Sequence, residues 1–484
     1  MERRGLRLAI IGGGMAGILT AVKLAQAGMD DFILYEKADR LGGTWRENTY
    51  PGLTCDVPSH LYCYSFALNP GWSHTFAPGA EIEAYFEGVA ERYDVPGHVR
   101  FGEEVVRCRL EDGRWALTTA TGRRDEADVV IAATGVLHHP HVPDIKGLDS
   151  FAGPMFHSAR WDHGAVIDDA RVGLIGTGST AVQIVSAVVE RVRQLSLFQR
   201  TAQWVLPAPN PAFTTEEQAA FARDERLIHE LRASSSAVFD LFSDAIVDAG
   251  SPTMTAIEEM ARANLEDNVA DPELRERLRP DYRAGCKRLI VAPDFYRAIQ
   301  EPNAELVTAP IESIEAGGLR TADGRLHELD VLVLATGFKT NAFVRPMEVV
   351  GRDGTSLEEV WGERPEAYLS ISVPGFPNFF MLNGPNGPVG NFSLVEVAEL
   401  QLGYILQLVE RIRSGECREI SATPAALEAF EEARVEAAGK TVWSTGCRSW
   451  YLDDRGVPAV WPWPFRQFRA EMAAPDREAY ELIG

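Results

Sequence analysis

Two glycine-rich stretches are the first residues whose types and spacing could do chemistry. Gly12-Gly13-Gly14-Met15-Ala16-Gly17 follows an apolar run, Leu6 to Ile11, and Gly176-Thr177-Gly178-Ser179-Thr180-Ala181 follows another, Arg171 to Ile175. Glycines at such a turn let a helix N-terminus approach a pyrophosphate, whose charge the free N–H groups stabilise. A lone GxGxxG says little. Between strand and helix, with an acid closing the next strand, it stands in the context that a dinucleotide site requires. That acid is Glu36, after the run Phe32 to Tyr35, where it can accept hydrogen bonds from a ribose diol. At the matching distance in the second copy stands Arg200. A carboxylate repels a 2′-phosphate, whereas a guanidinium binds it bidentately. The first copy (Gly12, Gly14, Gly17, Glu36) is therefore expected to take FAD. The second (Gly176, Gly178, Ser179, Arg200) is expected to take NADPH in preference to NADH, with Thr201 adding a hydroxyl donor. The plainer alternatives are a glycine turn in an ordinary α/β protein and a structural salt bridge for Arg200.

The elements that must position these residues follow from the hydrophobic pattern. Helices are expected over Ile18 to Ala27, ending at Gly28, and over Val182 to Val192, with a strand from Gln194 to Phe198. Asp128 to Gly135 and Asp330 to Gly337 are apolar runs that both end in Ala-Thr-Gly. In two-dinucleotide flavoproteins such strands carry the chain between nucleotide domains. Thr214 to Ile246 and Thr253 to Leu278 are acidic and amphipathic, broken at Gly250-Ser251-Pro252, and read as a helical insertion covering the cleft. The expected fold class is α/β, with two dinucleotide-binding (Rossmann-like) domains and this insertion. The expected division is an FAD-binding domain of residues 1–140 and 340–484, an NADPH-binding domain of residues 165–207 and 285–339, and the insertion at 210–284.

Two longer patterns narrow the reading. Phe151-Ala152-Gly153 through His157 to Trp161-Asp162 fills FxGxxxHxxxW[PD], and Gly42-Gly43-Thr44-Trp45 through Tyr50-Pro51-Gly52 to Asp56 fills [AG]GxW followed by [FY]P[GM]xxxD. The first resembles the fingerprint of class B flavin monooxygenases, the second that of their Baeyer–Villiger subgroup. From residue 7 to about residue 465 the chain resembles Baeyer–Villiger monooxygenases, most of all the 4-hydroxyacetophenone-type branch. The resemblance implies that Thr44, Trp45 and Tyr62 contact the flavin and that Asp56 lies beside it. It also implies that Lys287 joins the 2′-phosphate site, that Arg288 reaches flavin and nicotinamide, and that Trp450 contacts NADP. Phe151, Gly153, His157 and Trp161 would form an interdomain linker, with the His157 imidazole as a hydrogen-bonding strut. The activity implied is transfer of one oxygen atom from O2 to a ketone, giving an ester or lactone. A guanidinium that stays charged at any working pH suits the anionic oxygen this chemistry needs, and Asp56 would hold it. Arg288 and Asp56 are the expected catalytic pair. A nitrogen- or sulfur-oxygenating flavin monooxygenase is the nearest alternative; it shares both nucleotide folds but has no need of that pair. A disulfide reductase or a redox-sensing binding module is a more distant one.

Composition bounds what else the chain could do. Its 484 residues, 45% of them hydrophobic, can bury a large core, and its net charge of −23 argues against nucleic acid or anionic lipid as partner. Any site for a phosphorylated cofactor must then gather positive charge locally. No apolar run is long enough to span a membrane, and the opening Met1-Glu2-Arg3-Arg4 runs into a strand with no apolar signal region. The six cysteines lack CxxC spacing and read as reduced, mostly buried thiols of a cytoplasmic protein. Cys55 and Cys63 are too far apart for a reductase pair. His138, His139 and His141 share a proline-bounded loop without a cysteine, so no metal is expected. The tail concentrates aromatics, Trp443, Trp450, Tyr451, Trp461, Trp463 and Phe465; most read as packing residues, and which of them line the ketone site is open, as are the particular ketone and the oligomeric state.

Overall fold

Short, mostly apolar strands must be covered on both faces, and the chain builds two sheets around a core of such strands. The computed structural model describes residues 5–390 and 392–484, so Met1 to Arg4, read as running into the first strand, lie outside the described residues. Leu8–Ile11 pairs in parallel with Phe32–Tyr35 on one side and Val129–Ala132 on the other. Val99–Arg100 extends the sheet beyond Phe32–Tyr35, and Phe379–Met381 extends it beyond Val129–Ala132. The second sheet repeats the plan. Arg171–Ile175 lies between Gln194–Phe198 and Val331–Leu334, with Ala304–Val307 and Met155–His157 at the edges. Each Ala-Thr-Gly strand thus sits directly beside the strand that feeds a glycine loop. The fold is α/β, with two five-stranded parallel sheets that share the order of four strands; the edge strand beside the Ala-Thr-Gly strand comes last in the first sheet and before the glycine loop in the second.

The helices behind the loops are Met15–Gln26 and Ser179–Val188. Each starts three residues before the expected position, because the last loop residues form the first helical turn. That is what aims the turn's N–H groups at the cleft. Neither helix has a capping side chain or an acid in its first turn, so no side chain of the helix itself competes with an anionic ligand there. Before its Ala-Thr-Gly strand each half inserts an antiparallel meander, over 105–127 and 311–328, which the sequence reading did not resolve.

The acidic helical stretch needs two corrections. It divides at Asp224 into Thr215–Arg223 and Glu225–Ile246, since Asp224 is extended and caps the second helix by accepting from the Arg226 N–H. Nor does it cover the cleft: no residue between 204 and 286 lines it. Ile246, Met254 and Ala261 are buried instead against Cys286, Trp443 and Tyr451, so these helices support the Lys287–Arg288 segment from behind. The expectation of reduced thiols also fails in part. Cys286 and Cys447 are joined in a disulfide, while Cys55, Cys63, Cys108 and Cys417 are free and buried. No helix among the described residues is long and apolar enough to cross a membrane.

Candidate active site

Both glycine loops open into one continuous cleft of about 1230 Å³. Gly12 and Gly176 have φ of +106° and +119°, and a side chain there would also meet a wall. A methyl on Gly12 would lie 2.6 Å from the Ala133 carbonyl oxygen, and one on Gly176 would lie 2.3 Å from that of Ala335. The Ala-Thr-Gly strands therefore press on the first glycine of each loop. A bare backbone next to an uncapped helix N-terminus is a cradle that fits a dinucleotide pyrophosphate.

Glu36 is buried on the wall of the first half. It accepts from the Gly13 N–H at 2.7 Å, the Ala38 N–H at 2.9 Å and the Arg46 guanidinium at 3.1 Å. It thus holds the glycine loop in shape, a duty not anticipated from sequence, and Arg46 is a cleft residue that sequence reasoning missed. Its signal was its place in the helix Thr44–Glu47 that follows Gly42-Gly43. Thr44, Trp45 and Tyr62 line the same wall. The Trp45 indole donates to the Tyr62 hydroxyl at 3.3 Å, with the rings edge to face. Gly14 and Gly17 sit at the head of the first helix, and Gly178 and Ser179 at the head of the second.

Positive charge gathers in the second half. Arg200, Thr201 and Lys287 line the cleft, and among the described residues neither cation has a carboxylate within salt-bridge distance. The Lys287 ammonium lies over the Tyr282 ring at 5.0 Å. Burial, and then the charge of nearby Arg200, hold the Lys287 pKa below its ordinary value. Asp281 offsets this only in part, so two like charges without a salt-bridged acid form a site that an anion would relieve.

Between the halves, Nε and Nη2 of Arg288 both meet Oδ2 of Asp56 at 2.7 Å, and Nη1 donates to the Gly390 carbonyl at 3.1 Å. Burial opposes the charge on Arg288, but Asp56 and then the Tyr451 hydroxyl outweigh it, raising the pKa above its ordinary value. Tyr451, read only as one of the tail aromatics, is a further contact of this arginine. Among the described residues, Trp450 is the one tail aromatic on the cleft; it is 42% exposed and rests on Tyr451. Trp443, Trp461 and Phe465 are buried.

Among the described residues, Phe151, Gly153, His157 and Trp161 do not line the cleft. His157 ends an edge strand of the second sheet; its Nδ1 accepts from the Ala159 N–H at 3.1 Å, and Nε2 lies 3.0 Å from the Gly337 carbonyl. The imidazole therefore ties the linker to the end of the second Ala-Thr-Gly strand. Gly153 backs against Asp330, and Trp161 packs edge to face on Phe156. His138 and His139 bond the Phe343 and Arg345 carbonyls.

Paired nucleotide folds opening on one cleft define the class of two-dinucleotide flavoproteins. Residues 5–212 match the family model described as flavin-binding monooxygenase-like. An uncharacterized monooxygenase of Mycobacterium tuberculosis is 48% identical over 100% of this chain and 97% of its own. A Baeyer–Villiger monooxygenase of Streptomyces coelicolor is 39% identical over 99% of this chain and 93% of its own. The crystal structure of cyclohexanone monooxygenase from Rhodococcus sp. Phi1 bound to NADP+ superimposes with a TM-score of 0.88 at 30% identity, covering 99% of this chain and 100% of that one. The chain belongs to the Baeyer–Villiger monooxygenase family of class B flavin monooxygenases.

Proposed function

We propose that this enzyme inserts one oxygen atom from O2 beside a ketone carbonyl, giving an ester or lactone at the expense of NADPH. The observation that carries the reading is the Arg288–Asp56 ion pair at the junction of the two nucleotide folds. A nitrogen- or sulfur-oxygenating enzyme would have no use for a fixed cation there. FAD and NADPH are the cofactors. Gly12, Gly14, Gly17, Glu36, Thr44, Trp45 and Tyr62 would hold the first, and Gly176, Gly178, Ser179, Arg200, Thr201, Lys287 and Trp450 the second. Bound FAD supplies hydride acceptance and O2 activation.

The protein's own contribution is electrostatic and positional. Arg288 keeps its charge in a partly dry site because Asp56 neutralises it and fixes its plane. Its remaining N–H groups can then stabilise negative charge as it develops on oxygen, without reorganising at the moment of reaction. Arg200 and Lys287 select the 2′-phosphate, while Trp450 flanks the cleft and helps keep water out. The proposed working division is FAD on residues 1–140 and 340–484 and NADPH on residues 165–207 and 285–339, in a cytoplasmic setting where NADPH is regenerated.

The test is a panel of linear, cyclic and aryl ketones, with amine and sulfide controls, incubated with NADPH under 18O2. Esters or lactones carrying one labelled atom are expected. Labelled N- or S-oxides with no ester from any ketone would overturn the reading.

A further inference from the structure

The loop that delivers Asp56 packs on the other half of the molecule, and Gln183 supplies three of its hydrogen bonds there. Gln183 lies one turn into the helix Ser179–Val188, whose N-terminus faces the second half of the cleft. Its Oε1 accepts from the Tyr50 hydroxyl at 2.9 Å. Its Nε2 donates to both the carbonyl and the hydroxyl oxygen of Thr54, each at 3.1 Å. Between these two contacts Gly52 presses on the same helix: a methyl there would lie 2.6 Å from the Gln183 carbonyl oxygen and 2.8 Å from the Ala187 side chain. Gln183 and Tyr50 are both buried at the wall of the cleft, so losing either partner leaves a polar group with little access to water. Two residues beyond Thr54 the chain reaches Asp56 and its pair with Arg288.

We infer that Gln183 is a positioning residue that couples occupancy of the second nucleotide site to the placement of Asp56, and through it of Arg288. The inference rests on the cofactor reading above, in which the N-terminus of helix Ser179–Val188 receives the dinucleotide. Ligand charge there draws on the first helical turn, and Gln183 passes that restraint to residues 50–56. The side chain must both donate and accept, which an amide does and a carboxylate does not. Gln183→Glu keeps the acceptor for Tyr50 but sets oxygen against the Thr54 carbonyl, and Gln183→Met keeps the length while losing both contacts. Because binding couplings are reciprocal, whatever NADP+ does to the loop, the loop does to NADP+.

The experiment is amide hydrogen exchange on the FAD-loaded protein with and without NADP+, alongside calorimetric titration of NADP+. In the parent, NADP+ is expected to slow exchange across residues 50–56 by about tenfold or more. Gln183→Met is expected to bind NADP+ without that protection, and Gln183→Glu likewise. Tyr50→Phe, which removes one hydroxyl and leaves both Thr54 contacts, should show an intermediate loss and carries the test should Gln183→Met fail to take up FAD. In turnover, oxygenated product per NADPH should fall in Gln183→Met as it does in Asp56→Ala, and the double variant should be no worse than Asp56→Ala alone, as expected of groups acting in series. Full protection in Gln183→Met, or additive losses in the double variant, would overturn the inference; a purely structural glutamine predicts both. A parent that fails to bind NADP+ would overturn the cofactor reading as well, whereas a parent that binds it without protecting 50–56 overturns this inference alone. The exchange measurement uses no ketone, so it is independent of what the enzyme oxygenates.

Discussion

Arg288 is gripped from several sides, by one carboxylate oxygen, one backbone carbonyl and the Tyr451 hydroxyl, and its loss should be read in product and not in flavin content. Arg288→Ala should still bind FAD and accept hydride, since the first glycine loop and Arg200 are untouched. The rate of ester formation should nevertheless fall by roughly 100- to 1000-fold, the usual effect of removing a preorganised partner of developing charge, so that ester per NADPH drops and the electrons are recovered as hydrogen peroxide. Asp56→Ala should show a milder form of the defect, because it removes only the group that orients the guanidinium. A normal ester yield from Arg288→Ala, measured against NADPH consumed, would refute the assignment. Arg200→Ala and Lys287→Ala should each raise KM for NADPH far more than for NADH, by an amount equivalent to about 1–3 kcal/mol; equal effects on both nucleotides would put the 2′-phosphate elsewhere. Lys287 adds a pH signature. Its pKa in the free protein is held below the ordinary value by burial and by Arg200, and a bound phosphate would raise it again. Binding is therefore favoured where the lysine is charged in both states and weakens as pH rises through the pKa of the complex. KM for NADPH should climb on the alkaline side, and Lys287→Arg, whose charge does not titrate there, should flatten the curve. A KM profile for Lys287→Arg that parallels the parent would show that another group titrates.

At the scale of elements, the two glycine loops can be broken separately. Gly12→Ala combines a positive φ with a 2.6 Å approach to Ala133, and Gly176→Ala does the same against Ala335. The first should purify without flavin absorbance at 450 nm; the second should stay yellow but lose NADPH-dependent bleaching. A colourless Gly176→Ala, or a Gly12→Ala that no longer binds NADP+ in a calorimetric titration, would mean that the halves do not bind independently. This separability was legible in the sequence. The strands Phe32–Tyr35, Arg171–Ile175 and Gln194–Phe198 lie where their apolar runs end, because a strand buried on both faces writes its whole length in hydrophobic residues. The meanders over 105–127 and 311–328 were not legible, since their strands are short, half-exposed and carry charges such as Arg107 and Glu328 that blur the alternation. In the site, loop spacing marked Glu36 and Arg200, a long motif marked Asp56, and the Lys287-Arg288 pair was marked by the family resemblance. Arg46, Tyr451 and Gln183 escaped because their importance lies in what they touch across the fold. A glutamine inside an apolar helix looks like any polar residue until Tyr50 and Thr54 are seen to close on it.

At the scale of the molecule, the Cys286–Cys447 link fastens the Lys287–Arg288 segment to the loop carrying Trp450, across 161 residues of chain. Cys447→Ser should lower unfolding stability by about 2–4 kcal/mol, as loss of a long-range crosslink commonly does, read as a shift in the urea midpoint against the parent. An unchanged midpoint, or six alkylatable thiols in the oxidised denatured parent, would speak against the link. The two sheets are also nested, one within the other. The second is complete with Val331–Leu334, whereas the first gains its edge strand only at Phe379–Met381. During synthesis the inner half can therefore close while the outer half, begun first, is still open along Val129–Ala132. The emerging chain would finish its second nucleotide fold before its first, holding an apolar strand edge exposed until some forty-five further residues have left the ribosome.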